Sequence, residues 1–174
     1  TISLAHFKFK SMIIKKNTEM LLFRFNNYRN HPFIKAHQEV LNEDGYVWML
    51  KIGKRSSVAK IQAIIDCGGW LVLRSPKADG GKSYLTKFSE ILEEEPLDMV
   101  YPEYYTEILD NEDDEDFYNP NTVFQWFKIE MILELNDNDA NNLVISKSDK
   151  KVNEVIGTTR TAVMFIKNST DITV

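Results

Sequence analysis

A short apolar run, Met20-Leu-Leu-Phe-Arg-Phe25, stops at Asn26-Asn27 and reads as a buried strand. From His31 to Glu43 the period changes. Ile34, His37, Val40 and Leu41 share one helical face, Pro32 suits the first turn, and Gly45 ends the helix. Tyr46 to Ile52 is a second strand, turned by Gly53. Ser56 or Ser57 caps a second helix that runs to Asp66 with Val58, Ile61, Ile64 and Ile65 inward, and Gly68-Gly69 terminates it. Trp70 to Arg74 is a strand, Asp79-Gly-Gly-Lys82 a hairpin turn, and Ser83 to Ile91 the returning strand.

The second half of the chain is less regular. Glu93 to Asn121 is an acidic, proline-punctuated excursion, with a short helix expected near Glu103 to Leu109. Val123 to Leu135 is a long strand, Asn136 to Asn142 a turn, and Leu143 to Ile145 a short strand. Asn153 to Ile166 fits a helix or a strand, and Thr158, Thr159, Thr161, Val163 and Phe165 favour strand. Ile2 to Ile14 is a short strand or a lead. These elements predict one α+β domain over residues 20–167, a curved mixed sheet or barrel with helices packed outside, between a lead (1–19) and a tail (168–174).

Charge changes this picture. The chain of 174 residues has a formal net charge of −5, but between Glu90 and Phe117 there are 13 Asp or Glu and no Lys or Arg. The rest holds 13 acids against 21 bases, a basic body with an acidic insertion. Such asymmetry bears on partners, not on fold. A single cysteine, Cys67, excludes an internal disulfide and a cysteine-rich zinc site, and it reads as a small buried hydrophobe. No apolar run reaches the roughly 20 residues of a membrane span, and residues 1–16 lack the unbroken apolar core of a signal peptide, so a cytoplasmic location without membrane contact is expected.

Most catalytic patterns are missing. There is no Gly-x-Ser-x-Gly elbow and no Glu-x-Lys triplet of a nuclease strand. Gly80-Gly-Lys-Ser83 matches only the tail of a phosphate loop and lies between two strands instead of opening a helix. His6, His31 and His37 have no ligand-like companions. No enzyme, cofactor or metal is expected. What remains is aromatic and basic. Trp48 precedes a basic turn, Lys51-Ile-Gly-Lys54-Arg55, and Lys51, Lys54, Arg55, Arg74, Lys77 and Lys82 gather around three loops. Flat rings beside cations suit a base tied to a phosphate. Trp70 reads as core, whereas Trp48 and Trp126 fit either core or ligand contact.

The order of these elements, with the Gly45-Tyr-Val-Trp48 step and the late strand Phe124-Gln-Trp-Phe-Lys-Ile-Glu-Met-Ile132, resembles the EVE and YTH group of PUA-like domains. The resemblance covers Met20 to about Lys167 apart from the acidic insertion. It implies a non-enzymatic reader of a modified base flipped out of DNA or RNA. In that group an Asn at the end of the first strand and the Trp after the Gly step line the base cage; Asn26 or Asn27 and Trp48 match them. A second cage Trp precedes the late strand, where this chain has the acidic segment, leaving Phe117, Tyr118 or Trp126 to substitute.

Asn26, Asn27, Trp48, Trp126 and Tyr118 are therefore the expected base pocket, and Lys51, Lys54, Arg55, Arg74 and Lys82 the expected phosphate contacts. The partner implied is nucleic acid, DNA ahead of RNA, with the domain as the specificity module of a McrBC-type restriction system and a motor or nuclease domain attached. The alternatives are a standalone RNA-binding protein of the same group and a protein-interaction module that uses the acidic insertion. An insertion this acidic repels phosphate, so it is expected on the far side of the domain, docked through Tyr104, Ile108 and Leu109.

Overall fold

The computed structural model describes residues 12–110 and 122–174. In chain order it contains β1 (Ile13–Ile14), β2 (Glu19–Arg24), α1 (Phe33–Asp44), β3 (Val47–Gly53), α2 (Val58–Asp66), β4 (Trp70–Arg74), β5 (Ser83–Leu92) and α3 (Tyr105–Asp110). There follow β6 (Val123–Glu134), α4 (Asp137–Asn141), β7 (Leu143–Ile145), α5 (Val152–Val155), β8 (Val163–Asn168) and β9 (Ile172–Thr173). Among the described residues, seven strands form one mixed sheet in the order β3-β6-β5-β4-β2-β8-β7, and β1 pairs with β9. The sheet does not close into a barrel, because β3 and β7 are edges. Within it only β2 and β4 pair in parallel, with Arg24 opposite Arg74 at their carboxyl ends. The crossover between them carries α1, β3 and α2.

Strand alternation divides the buried residues between two faces. Leu21, Phe23, Val47, Met49, Leu71 and Leu73 face α1 and α2 and meet Phe33, Leu41, Ile61 and Ile64. Met20, Leu22, Trp70, Val72 and Leu85 face the other way, where Leu143, Val152, Ile166, Ile14 and Ile172 cover them. The sheet bends where β5 meets β6. One step from Lys87 to Phe88 matches two steps in β6, and three steps from Phe88 to Ile91 match two. These bulges turn Ile129 toward the helices while Met131, two residues on, faces the opposite core.

Local chemistry sets the helix ends. Ser57 caps α2 by accepting the Lys60 N–H. Helix α1 starts two residues later than the sequence pattern predicts. Pro32 is extended at the cap, and Asn27 Oδ1 accepts the Phe33 N–H at 2.9 Å. The turn expected at Asn136–Asn142 winds into the short α4, capped by Asn136. The ambiguous segment from Asn153 splits into the end of α5, a 3-10 turn over Ile156–Thr158, and β8. Cys67, expected to be buried, is exposed at the end of α2. Asn168, at the end of β8, is buried and ties lead to tail, its Nδ2 donating to Ile14 O, Lys15 O and Thr170 O.

Two glycines separate backbone conformation from close approach. Gly45 closes α1 at φ 81°, and nothing lies within 4 Å of the place a Cβ would take there. At Gly69 (φ 72°) a Cβ would stand 2.2 Å from Phe88 O. Gly45→Ala should cost about 1 kcal/mol from the left-handed backbone alone. Gly69→Ala should cost more than about 2 kcal/mol, since the atom it meets is backbone and cannot step aside. Urea unfolding of the two variants checks this; equal losses would contradict the close approach.

Candidate functional site

The two tryptophans expected in a base cage do come together, but they are packed. Trp48 and Trp126 are 4% and 1% exposed. Tyr101 lies 5.4 Å from Trp126 and Tyr105 lies 5.9 Å from it, ring centre to ring centre. Both Trp48 N–H groups donate to the first part of the acidic insertion: the backbone N–H to Val100 O at 2.8 Å and Nε1–H to Asp98 Oδ2 at 3.3 Å. Tyr104 and Ile108 are buried in the same cluster and Leu109 packs against it. The described part of the insertion therefore docks over both indoles. Tyr118 lies outside the described residues.

A buried hydrogen-bond chain holds that docking in place. His37 Nδ1 lies 2.7 Å from Phe33 O, which accepts its proton. Nε2 is then the acceptor for the Tyr105 hydroxyl at 2.5 Å, and the same hydroxyl accepts the Leu50 N–H at 3.1 Å. Burial pulls His37 down to about 4, against the opposing pull of the Phe33 carbonyl. Burial also raises Tyr105 well above its ordinary value.

The expected phosphate contacts separate into two places. Lys51 is buried, and Nζ donates to Lys54 O at 2.5 Å and Gln125 Oε1 at 3.3 Å; burial lowers its pKa. Arg55 pairs through two nitrogens with Glu93, both at 2.6 Å. Lys51 lies within β3, and Arg55 and the exposed Lys54 belong to the turn after it. Arg74 ends β4, three strands away and, because the three intervening pairings are all antiparallel, at the opposite end of the sheet. Lys82 is on the adjoining hairpin and pairs with Glu134 at 3.5 Å.

Arg74 opens into a hollow of about 780 Å³ at the carboxyl ends of β2 and β4. Arg24, Asn26, Lys77 and Arg160 share it, and among the described residues no Asp or Glu lines it. Arg24 Nη1 donates to Thr159 O at 2.6 Å, and Arg74 Nη1 donates to Ser83 Oγ at 3.1 Å and Asn153 Oδ1 at 2.8 Å. All three acceptors are uncharged. Burial, then the neighbouring Arg24, lowers the Arg74 pKa. A second, more apolar hollow of about 480 Å³ adjoins it through Phe25 and Ser75, with Pro32, Ile34 and Tyr84 in its wall. Asn27 lines this second hollow, but both ends of its amide are engaged, with the Phe33 N–H and with Asp79 Oδ2 at 2.7 Å.

The structure thus joins Asn26 and Arg74 and adds Arg24, Lys77 and Arg160. Arg24 and Arg160 are not among the residues that the sequence pattern singles out. One signal was present: β2 and β4 both end in arginine after an apolar run. A third hollow, of about 1170 Å³, lies between α1 and the insertion, with Glu39, Glu43, Asp44, Asp98, Glu103 and Glu107 around it and His31 as its one basic lining residue among those described. Among the described residues, no group of three His, Cys, Asp or Glu is placed to hold a metal, and no helix is long and apolar enough to cross a membrane. No family model, curated protein or solved structure matches the chain.

The His37 chain has a pH signature. A folded pKa near 4 against about 6.5 unfolded means that the unfolded chain takes up the proton first. Stability is full above pH about 6.5 and should fall by about 3 kcal/mol as pH drops to about 4. The His37→Gln protein should lack that part of the slope in urea titrations between pH 7 and 4. An identical slope would remove His37 as its source.

Proposed function

We propose that this domain binds nucleic acid at the basic hollow formed by the ends of β2 and β4. One observation carries the reading: Arg24 and Arg74 stand in register on adjacent parallel strands, joined by Lys77 and Arg160, with no carboxylate among the described lining residues. Half-buried cations held by uncharged acceptors keep their charge available for a ligand anion, and a phosphate offers the oxygens that guanidinium forks fit. The adjoining apolar hollow, walled by Tyr84 and Pro32, is the place for a base or sugar. Asn26, on the rim, is an edge hydrogen-bonding group.

The resemblance to EVE and YTH domains extends this proposal: a PUA-like fold, a modified base turned out of DNA ahead of RNA, and service in the cytoplasm as the specificity part of a restriction system with a motor or nuclease attached. Under that extension the ring enters beside Phe25 and Tyr84. A cage at Trp48 and Trp126 would first need Tyr101 and Tyr105 to leave. A second reading, a protein-interaction module, is favoured by the carboxylate-lined hollow along α1, whose charge suits a basic segment of a partner.

Lys77 and Arg160 are exposed at the mouth of the hollow. Replacing both with Ala should lower the salt dependence of single-strand binding by about 1.4 in log–log slope, about 0.7 for each phosphate no longer neutralised. Lys54→Ala with Arg55→Ala should leave the slope unchanged. The reverse pattern, measured by fluorescence anisotropy over a series of salt concentrations, would place the phosphate path at the β3 turn and contradict the proposal.

A further inference from the structure

We infer that the basic hollow is a site for a terminal phosphate monoester: it holds the phosphorylated end of a strand, or a free mononucleotide, in preference to an internal phosphodiester. The inference rests on reading this hollow as a nucleic-acid site and narrows it. Three features of the hollow carry it.

The first is charge. Arg24, Arg74, Lys77 and Arg160 bring four positive side chains to one concavity, and no acid among the described lining residues offsets them. A diester carries one negative charge. A monoester carries close to two at neutral pH and relieves more of the repulsion between the adjacent guanidinium groups.

The second is donor geometry. Both arginines are anchored through Nη1, by Thr159 O and by Ser83 Oγ with Asn153 Oδ1. Anchoring at Nη1 fixes each group and leaves the Nε–Nη2 edge, the edge that binds an oxyanion through two parallel bonds. A diester has two unesterified oxygens to receive two such edges, and a monoester has three.

The third is the approach. A Cβ placed on Gly81 would lie 3.6 Å from Arg74 Nη2 and 3.8 Å from Nε. The missing side chain is what keeps that edge of Arg74 uncovered. A terminal nucleotide also reaches the hollow without leaving a stack on both sides, so it avoids much of the unstacking that an internal base requires.

The test compares single-stranded hexamers of one sequence with 5′-phosphate, 3′-phosphate or hydroxyl ends, and a hydroxyl-ended hexamer with an internal methylated base. Binding is read by anisotropy from a label at the far end. A nucleoside 5′-monophosphate is titrated separately by calorimetry. Phosphorylation of one end should tighten binding about tenfold, the worth of one added charge-assisted bond. Gly81→Asn, a residue that tolerates the left-handed backbone at this position, should abolish the difference while thermal unfolding shows the fold intact. If Gly81→Asn fails to fold, Arg160→Ala must shrink the difference instead.

Equal affinity for phosphate and hydroxyl ends, with binding still dependent on Lys77 and Arg160, overturns the inference and leaves the nucleic-acid reading standing. A preference for the methylated hexamer has the same consequence. Binding of the monophosphate with no hexamer bound upholds the monoester site and overturns the nucleic-acid reading. Binding of none of them overturns both.

Discussion

The outer edge of β3 is the constraint on which the arrangement turns. An edge strand exposes backbone donors, and an edge that also carries Trp48 and Leu50 outward has a large apolar face to cover. The described part of the insertion meets both needs. Val100 O receives the Trp48 N–H, the Tyr105 hydroxyl receives the Leu50 N–H, and Tyr101 and Tyr105 pack against the Trp126 indole with Tyr104 behind Tyr105. Each aromatic pair adds about 0.5–1.5 kcal/mol beyond the burial of its rings, so the area covered is the larger contribution. The described part of the segment that reads as an excursion thus covers a third apolar cluster, the one around Trp48 and Trp126. Its acidic character is compatible with that role because the carboxylates of Asp98 and Glu95 bind Tyr46, Trp48 and Tyr101 at the rim.

Covering that edge also bears on where the proposed ligand would be met. Trp48 and Trp126 are both packed beneath the described part of the insertion. The opposite part of the sheet, where β2 and β4 run parallel, presents its cations. The separation of charge along the chain becomes a separation in space: carboxylates around α1 and the insertion, guanidinium groups at the ends of β2 and β4. At physiological salt, charges more than about 8 Å apart are largely screened, so the carboxylates in the described part of the insertion, packed at β3 and β6, leave the field at Arg74 to its own neighbours. Those neighbours are Arg24, Lys77 and Arg160.

Much of the fold was legible because local signals agreed with it. Trp70–Arg74 and Leu143–Ile145 are bounded by turn residues on both sides and form strands with the expected limits. Ser57 and Gly45 punctuate the helices as their chemistry requires. The segment after Asn153 was ambiguous because its β-branched threonines favour extended backbone, yet Val152 is needed in the core and winds one short turn. The candidate site was half legible. Arg74 and Asn26 stand beside recognisable loops. Arg24 and Arg160 join them only through the β2–β4 register and the path of residues 153–162, and neither is encoded by proximity in the chain. At Trp48 sequence neighbourhood and spatial neighbourhood differ: a basic turn follows it, but Lys51 points inward to Gln125 and Arg55 is engaged by Glu93.

The central claim is that ligand phosphate meets the ends of β2 and β4, not the aromatic cluster at β3. A two-dimensional amide and side-chain NMR titration with a short 5′-phosphorylated single strand tests it most directly. The account predicts shifts at Asn26, Arg74, Lys77, Gly81 and Arg160 and at the Arg24 and Arg74 Nε–H signals, with the Trp48 and Trp126 indole N–H signals unmoved. Shifts confined to the two indoles and the β3 turn, with Arg24 and Arg74 silent, would contradict it.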